Sequence, residues 1–292
     1  MSAVADSIGV VIVNFNGGKL IPKCINAVLD SSISVEIAVT DNGSTDGSLE
    51  ALQTEFSNHA QVTIIANDTN SGFATGSNRA LSALGSSLQT ILFLNPDCLI
   101  GRHTLQKMLL VMQQSPEMGM GGCLILNEDG SEQRGCRRNE PTPLRAFSTM
   151  VKLGQHLEGV NRVGELLPDK PVEVDAISGA FMLVRRTALT EVGLMDEAYF
   201  LHCEDLDWCK RFRQQGWKVI FVPQVAVTHL KGSSSHGRPI RVEWHKHRGM
   251  IRYYRKFYKD KHPFYVMWTI YLAVAGRFIL LLPRMILRNL RT

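Results

Sequence analysis

The stretch "IGVVIVNFNGG", residues 8–18, passes directly from an unbroken β-branched run into turn residues. A run apolar on both faces suits a strand covered on both sides, as in a parallel sheet, and Asn-Gly-Gly suits the turn that ends it. Leu20, Cys24, Ala27 and Val28 then recur at helical spacing and predict a helix over 19–30. The unit repeats. "VEIAVT" (35–40) precedes a helix expected from Asp46, as cap, to about Phe56. "QVTIIA" (61–66) precedes one from about Ala74 to Leu84, and "TILFLN" (90–95) one from about Thr104 to Gln114. Strands joined this way need right-handed crossovers, so the fold class is α/β, with a mainly parallel sheet flanked by helices.

Ligands of such sheets meet the carboxyl ends of the strands. Polar residues stand at every exit: Asn14 and Asn16, then Asp41 and Asn42, then Asn70, Gly72 and Gly76, then Asn95 and Asp97. Each has an ordinary reading beside a functional one. Asp41, in "TDNGSTDG", suits a turn, and also suits accepting the imide N–H of a pyrimidine. "NSGFATGSN" (70–78) carries glycines into a helix, where a phosphate could approach backbone N–H groups. Asp97 suits a helix cap, or with Asn95 a hard cation such as Mg2+ or Mn2+ whose shell a diphosphate completes.

Beyond an irregular stretch, about 137–171, the chain turns regular at "VEVDAISGAFMLVRR" (172–186), read as strand, turn and strand. A short helix (187–192) and a longer one (205–215) follow, then the strand "WKVIFVP". The longer helix opens on Glu204, Asp205 and Asp207. Acids there match the helix dipole, yet their mutual repulsion raises the pKa of at least one, which suits a general base. His229 precedes a Gly/Ser/Lys-rich loop and suits either a structural role or a metal or diphosphate contact on a closing lid.

The bulk properties narrow the class. The 292 residues carry a net charge of +5, concentrated in "HKHRGMIRYYR" (245–255), without a nucleic-acid-binding signature. Six cysteines lack CxxC spacing and "MSAVADSIGV" has no basic n-region, which together point to a reducing, cytoplasmic setting. "PFYVMWTIYLAVAGRFILLLPRMILRNLR" (263–291) is apolar and aromatic, but its uncharged part, 263–276, is shorter than the roughly 20 residues of a spanning helix. An amphipathic helix on the membrane surface fits best, with a true span and a buried partner-binding helix as the other readings.

Seven motifs in order, "VVIVNFNGG", "TDNGSTDGS", "NSGFATGSN", "FLNPDCLI", "SGAFMLVRR", "GLMDEAYFLHCEDLDWCKR" and "VTHLKGSS", resemble the inverting glycosyltransferases of family 2. Within that family they are similar to bacterial dTDP-rhamnosyltransferases of polysaccharide and O-antigen assembly. The resemblance implies a GT-A fold over 1–240, with a nucleotide-binding half (about 1–115) and an acceptor half (about 116–240), followed by a tail at 241–292. It implies that Asp41, with Val13, Asn14 and Asn16 beside it, holds the pyrimidine, and that Asn70, Gly72 and Asn78 line the donor pocket. Asp97 takes the metal position, with Asn95 in place of the usual first acid, and His229 assists. Asp205 is implied as catalytic base, with Glu204 its neighbour, and Ser178 and Gly179 as the acceptor border. The implied partners are a dTDP- or UDP-sugar donor, Mg2+ or Mn2+, and a saccharide acceptor, plausibly polyprenyl-diphosphate-linked, met at the inner face of the cell membrane. Oligomeric state, a homodimer included, is not legible. A nucleotidyltransferase would show a glycine- and lysine-rich loop after the first strand, where "NFNGGKL" offers only Lys19, and a mere sugar-binding protein would not need Asp205 beside Asp97.

Overall fold

β1 (Ile8–Asn14) is buried along its whole length and pairs in parallel with β2 (Val35–Asp41) on one side and β4 (Thr90–Leu94) on the other. The computed structural model describes residues 7–145, 159–230 and 239–289. β3 (Val62–Ala66) extends the sheet beyond β2, again in parallel. The crossovers carry α1 (Leu20–Leu29), α2 (Ser48–Phe56) and α3 (Phe73–Ser82), and α4 (Thr104–Gln114) follows a two-residue strand, β5 (Cys98–Leu99). α1 buries Ile21, Cys24, Ile25 and Val28, the stripe that its spacing predicts. Gly47 rather than Asp46 is the residue before α2, although Asp46 Oδ1 still accepts the Ser48 N–H at 3.0 Å.

Beyond residue 115 the sheet is completed differently. β10 (Phe181–Arg185) runs antiparallel between β4 and β6 (Met118–Leu126), and β11 (Lys218–His229) lies parallel to β6. The order is β3-β2-β1-β4-β10-β6-β11-β5, with β8 (Val172–Glu173) pairing β11 as well. A register shift between Val222 and Ala226 lets β11 continue past Pro223, six residues beyond the predicted strand. β6 has no counterpart among the predicted elements because its Met- and Gly-rich sequence reads poorly as a strand. A Cβ at Gly119 would lie 2.7 Å from Trp217 and one at Gly122 2.8 Å from Ile177, so glycine permits the close packing.

A second, two-stranded sheet pairs β7 (Arg137–Arg138) with β9 (Ala176–Ile177). Alternation along β7 sends Arg137 to Glu132 at 2.9 Å and Arg138 to Asp205 at 2.6 Å. α5 (Arg186–Val192) and α6 (Glu204–Gln214) cover the other face, and Trp208 of α6 is fully buried edge-on to Phe93 and Phe212. All six cysteines are free and buried, as packing residues are.

The region after 238 is helical: α7 (Pro239–Tyr258) and α8 (Phe264–Asn289). α7 is fastened to the catalytic domain. Tyr253 and Tyr254 are buried, Arg252 and Lys256 both pair with Asp196 at 2.8 Å, and Tyr258 donates to Glu140. Part of the basic run is therefore spent inside the molecule. Glu140 also meets Lys210 at 2.6 Å and Arg213 at 2.5 Å, and these contacts outweigh burial to lower its pKa to about 2. α8 contrasts with the expected short uncharged segment. Its window Phe264–Ile286 runs 23 residues, long and apolar enough to cross a membrane, and passes through Arg277 and Pro283 without a break.

Candidate active site

One cavity of about 1350 Å3 runs from the carboxyl end of β1 across the N-terminus of α6 to the α7–α8 pair. Val13, Asn70 and Gly72 line its nucleotide-half end, where Asn42 and Phe15 join them. Gly72 has φ +90, and a Cβ there would lie 2.6 Å from the Phe200 carbonyl oxygen, so the close approach of α3 to the 196–203 segment requires glycine. Asn70 Oδ1 accepts the Gly72 N–H at 2.9 Å and shapes that turn.

Four expected donor residues stand behind this wall. Asp41 is fully buried, with Oδ1 accepting the Ser44 N–H at 2.9 Å and Oδ2 accepting from Asn14 at 2.7 Å and from the Ser44 hydroxyl at 2.6 Å. Asn14 is buried too and donates also to Ser48 Oγ at 2.9 Å. Asn16, at φ +53, accepts the Thr45 N–H at 2.8 Å, which closes the same loop. Asn78 bonds Met195 and Glu197 and ties α3 to the acceptor half, away from the cavity wall. Asn42, next to Asp41, is the residue of this strand end that reaches the cavity.

Asn95, Asp97 and His229 form the cavity's middle. β5 pairs His229 opposite Cys98, which brings the end of β11 to the Asn-Pro-Asp turn. His229 Nε2 lies 2.8 Å from Asp97 Oδ1 and 3.3 Å from Asn95 Nδ2. Gln133, absent from the predicted set, fixes the tautomer. Its amide nitrogen donates to Asn127 at 3.2 Å, so its Oε1, 2.6 Å from His229 Nδ1, accepts a proton there. Nε2 therefore faces the Asp97 carboxylate with a shared proton or with a lone pair open to a cation. One carboxylate and one oriented imidazole, both on the cavity wall, fit a divalent metal whose other ligands come from a diphosphate. Among the described residues no group of three or more His, Cys, Asp or Glu forms an independent metal cluster. The Gly/Ser/Lys segment expected as a lid, 231–238, lies outside the described residues.

Ser178, Gly179, Glu204 and Asp205 line the cavity together. Asp205 Oδ2 accepts from Arg138 at 2.6 Å and from the Gly179 N–H at 3.1 Å, and Oδ1 accepts from the Leu206 N–H at 2.8 Å. Burial opposes its charge, but Arg138 and these bonds prevail and hold Asp205 below the usual carboxylate range. Glu204 goes the other way: burial first, and the Asp205 charge second, push its pKa up, and its Oε2 is buried without a partner. The repulsion expected among the three acids thus falls on Glu204. Asp207 points away, to Arg211 at 2.7 Å and Tyr199 at 3.1 Å.

Arg138 was not foreseen, because "CRRNE" sits in the stretch without a clear period. Its effect is testable. As the expected base, Asp205 would act only when ionised, so activity would fall as pH drops through its pKa. Arg138→Met removes the cation, the pKa rises, and the acid limb of kcat/KM should move to higher pH by one unit or more, roughly the shift an adjacent guanidinium imposes. A pH–rate profile with an unmoved limb would deny Arg138 this role.

His202 (φ +66) and Cys203 (φ +70) precede α6 in left-handed conformation and aim its first turn at the cavity. Two such residues together hold roughly 1–3 kcal/mol of strain each. α7 braces the corner: a Cβ at Gly249 would lie 3.0 Å from the His202 carbonyl oxygen. Such helical bracing was not visible in a tail that read as basic and aromatic.

The chain matches the family described as "Glycosyltransferase like family 2" over residues 5–242. An N-acetylglucosaminyl-diphospho-decaprenol L-rhamnosyltransferase of Mycobacterium tuberculosis is 27% identical over 256 residues, 80% of this chain and 78% of that protein. The rhamnosyltransferase WbbL of Escherichia coli is 29% identical over 143 residues, 48% of this chain and 51% of its own. Among solved structures, the mannosyltransferase PcManGT of Pyrobaculum calidifontis, in complex with GDP-Man and Mn2+, superposes with a TM-score of 0.59. That match has 17% identity and covers 85% of this chain and 64% of the other, a likeness of fold. The strand-end cavity, the paired acids at α6 and the family match over most of the chain agree: this protein belongs to glycosyltransferase family 2, with a GT-A-like fold, and is a glycosyltransferase.

Proposed function

We propose that the protein transfers L-rhamnose from dTDP-β-L-rhamnose, with inversion, to a hydroxyl of a lipid-linked saccharide in cell-surface polysaccharide synthesis. The observation that carries the reading is the placement of Asp205 and of the Asp97–His229 pair on one cavity wall, between a nucleotide-half end and an open acceptor end. The donor assignment draws on the relatives whose names specify rhamnosyl transfer. A UDP-hexose donor is the alternative with the same chemistry.

Val13, Asn42, Asn70 and the Gly72 turn form the nucleoside end in this reading, with the buried Asp41–Asn14–Ser44 network holding the wall in shape. Asp97 and His229 would hold Mg2+ or Mn2+. That ion, when bound, supplies positive charge for the leaving diphosphate. Asp205 receives the proton of the acceptor hydroxyl as it attacks the anomeric carbon from the face opposite the diphosphate. A carboxylate of low pKa serves because the hydroxyl becomes strongly acidic as its new bond forms. A carboxylate offers about four acceptor positions, and the three bonds to Asp205 leave one, on Oδ1, for the acceptor. Ser178 and Gly179 border the acceptor sugar. α8, basic and aromatic at its approaches, brings the enzyme to the cytoplasmic membrane face.

A thermal-shift panel of dTDP- and UDP-sugars, each with and without Mn2+, tests the donor. dTDP-rhamnose with Mn2+ should give the largest rise in Tm. A larger rise with a UDP-hexose would transfer the reading to that donor, and no donor-specific rise would overturn it.

A further inference from the structure

Besides the residues around Asp97 and Asp205, the cavity is lined by residues of both α7 and α8. Past Asp205 it continues between α7 and α8, and the two ends differ in chemistry. Val266, Ile270, Ala273 and Val274 share one face of α8, at helical spacing, and line the groove. The other face carries Trp268, Leu272 and Leu280, 61–81% exposed, which do not line it. α8 is thus apolar on two sides, one inside the groove and one outside.

The same lining also carries a cationic group. Arg241, Lys246 and Arg277 all face the cavity, joined by His245 and His247. Lys246 reaches Glu243 only at 3.5 Å, and Glu243 offsets just one of these charges. Arg241 stacks over Phe200, whose ring also stacks on His245 at 4.3 Å, so this end is anchored to the 196–203 segment. His247 is 5% exposed, its Nδ1 donates to the Glu243 carbonyl at 2.7 Å, and its Nε2 has no partner among the described residues. Burial lowers the pKa of both histidines, and the neighbouring cations lower it further: Arg241 and Arg248 for His245, Arg277 and Lys246 for His247. Arg241, Lys246 and Arg277 with one carboxylate, Glu243, among them form the arrangement an anion completes, and a bound anion would favour the imidazolium form of His247, whose Nε2 then donates.

We propose that the α7–α8 groove is the subsite for the carrier of a lipid-linked acceptor, a polyprenyl diphosphate, with Arg241, Lys246, His247 and Arg277 meeting the diphosphate and Val266, Ile270 and Val274 the first isoprene units. The proposal rests on the lipid-linked acceptor of the preceding reading and adds where the carrier sits. The lining offers a counterpart to each part of such a substrate: Asp205 for the reacting sugar, the cations for the diphosphate and the apolar face of α8 for the hydrocarbon. The outer face of α8 would then meet the bilayer from which the chain is drawn, so the hydrocarbon passes from lipid to protein without crossing water. α7 holds both walls to the catalytic domain through Arg252, Lys256 and Tyr258.

Binding of geranylgeranyl diphosphate to the full chain in non-ionic detergent, followed by isothermal titration, tests this without turnover. Geranylgeraniol, inorganic pyrophosphate and phosphatidylglycerol vesicles serve as comparisons. The diphosphate lipid should bind at least tenfold more tightly than either the alcohol or pyrophosphate. Arg277→Ala, at an exposed position of a helix, should weaken it about tenfold, the worth of one charged hydrogen bond, and Ile270→Asp should weaken it as much while dTDP binding is unchanged. Equal affinity for the alcohol or for pyrophosphate would overturn the subsite, as would unaltered binding in both variants. Displacement by phosphatidylglycerol at equal lipid concentration would also overturn it, and would assign the cations to the membrane surface. Tight binding in a protein that transfers no sugar would keep the subsite and reject the transfer reading; transfer without such binding would do the reverse.

Discussion

Asp205→Asn should reduce transfer by about a thousandfold, within the range that a positioned general base supplies, and leave donor binding unchanged. The amide keeps the size of the carboxylate, so the cavity keeps its shape. One oxygen can still accept from Arg138 and Gly179, while the amide nitrogen then faces the Leu206 N–H, donor against donor. The lost function is the acceptor position on Oδ1. Steady-state kinetics with donor affinity measured separately distinguish the effects. Glu204→Gln is the control: its partnerless Oε2 and raised pKa keep it protonated through neutral pH, so its loss should cost much less. If Glu204→Gln abolished transfer and Asp205→Asn did not, the two acids would exchange roles.

Asp97→Ala should be nearly as severe, with kcat/KM down roughly 100- to 1000-fold, because charge on the departing diphosphate loses its main counter-charge. Asn95 stands where the resemblance puts a second acid, so a metal held here would meet one formal negative charge and should bind weakly until the diphosphate arrives. Two consequences separate this from a general loss of structure. Mn2+ should no longer raise donor affinity in the variant, and excess Mn2+ should not restore the rate. Tight Mn2+ binding to the wild-type chain without donor would contradict the substrate-completed site.

The nucleotide half was legible almost residue by residue. β1, β2 and β4 are almost wholly buried and α1 and α4 each bury one apolar stripe, so both helices fall within a residue of their predicted limits. Legibility failed where contact, not period, decides. Asp41 and Asn42 are adjacent polar residues, yet Asp41 is taken up by Asn14 and Ser44 while Asn42 reaches the cavity. Asn78 belongs to a motif that lines a pocket by resemblance, yet its amide is satisfied by Met195 and Glu197, 117 and 119 residues away. Arg138 and Gln133 act through long-range bonds to Asp205 and His229, which no local spacing announces. In the tail, Arg252 and Lys256 pair with Asp196, a contact that a basic run does not announce, and α8 continues past the uncharged segment through Arg277.

The configuration of the product tests the central claim most directly. The purified protein, dTDP-β-L-rhamnose, Mn2+ and a polyprenyl-diphosphate-linked N-acetylglucosamine should yield a rhamnosylated lipid whose anomeric one-bond carbon–proton coupling by NMR is that of an α-rhamnoside. A β-rhamnoside would mean retention, and no transfer from this donor would remove rhamnose from the account; either result contradicts single displacement of dTDP by a hydroxyl deprotonated at Asp205.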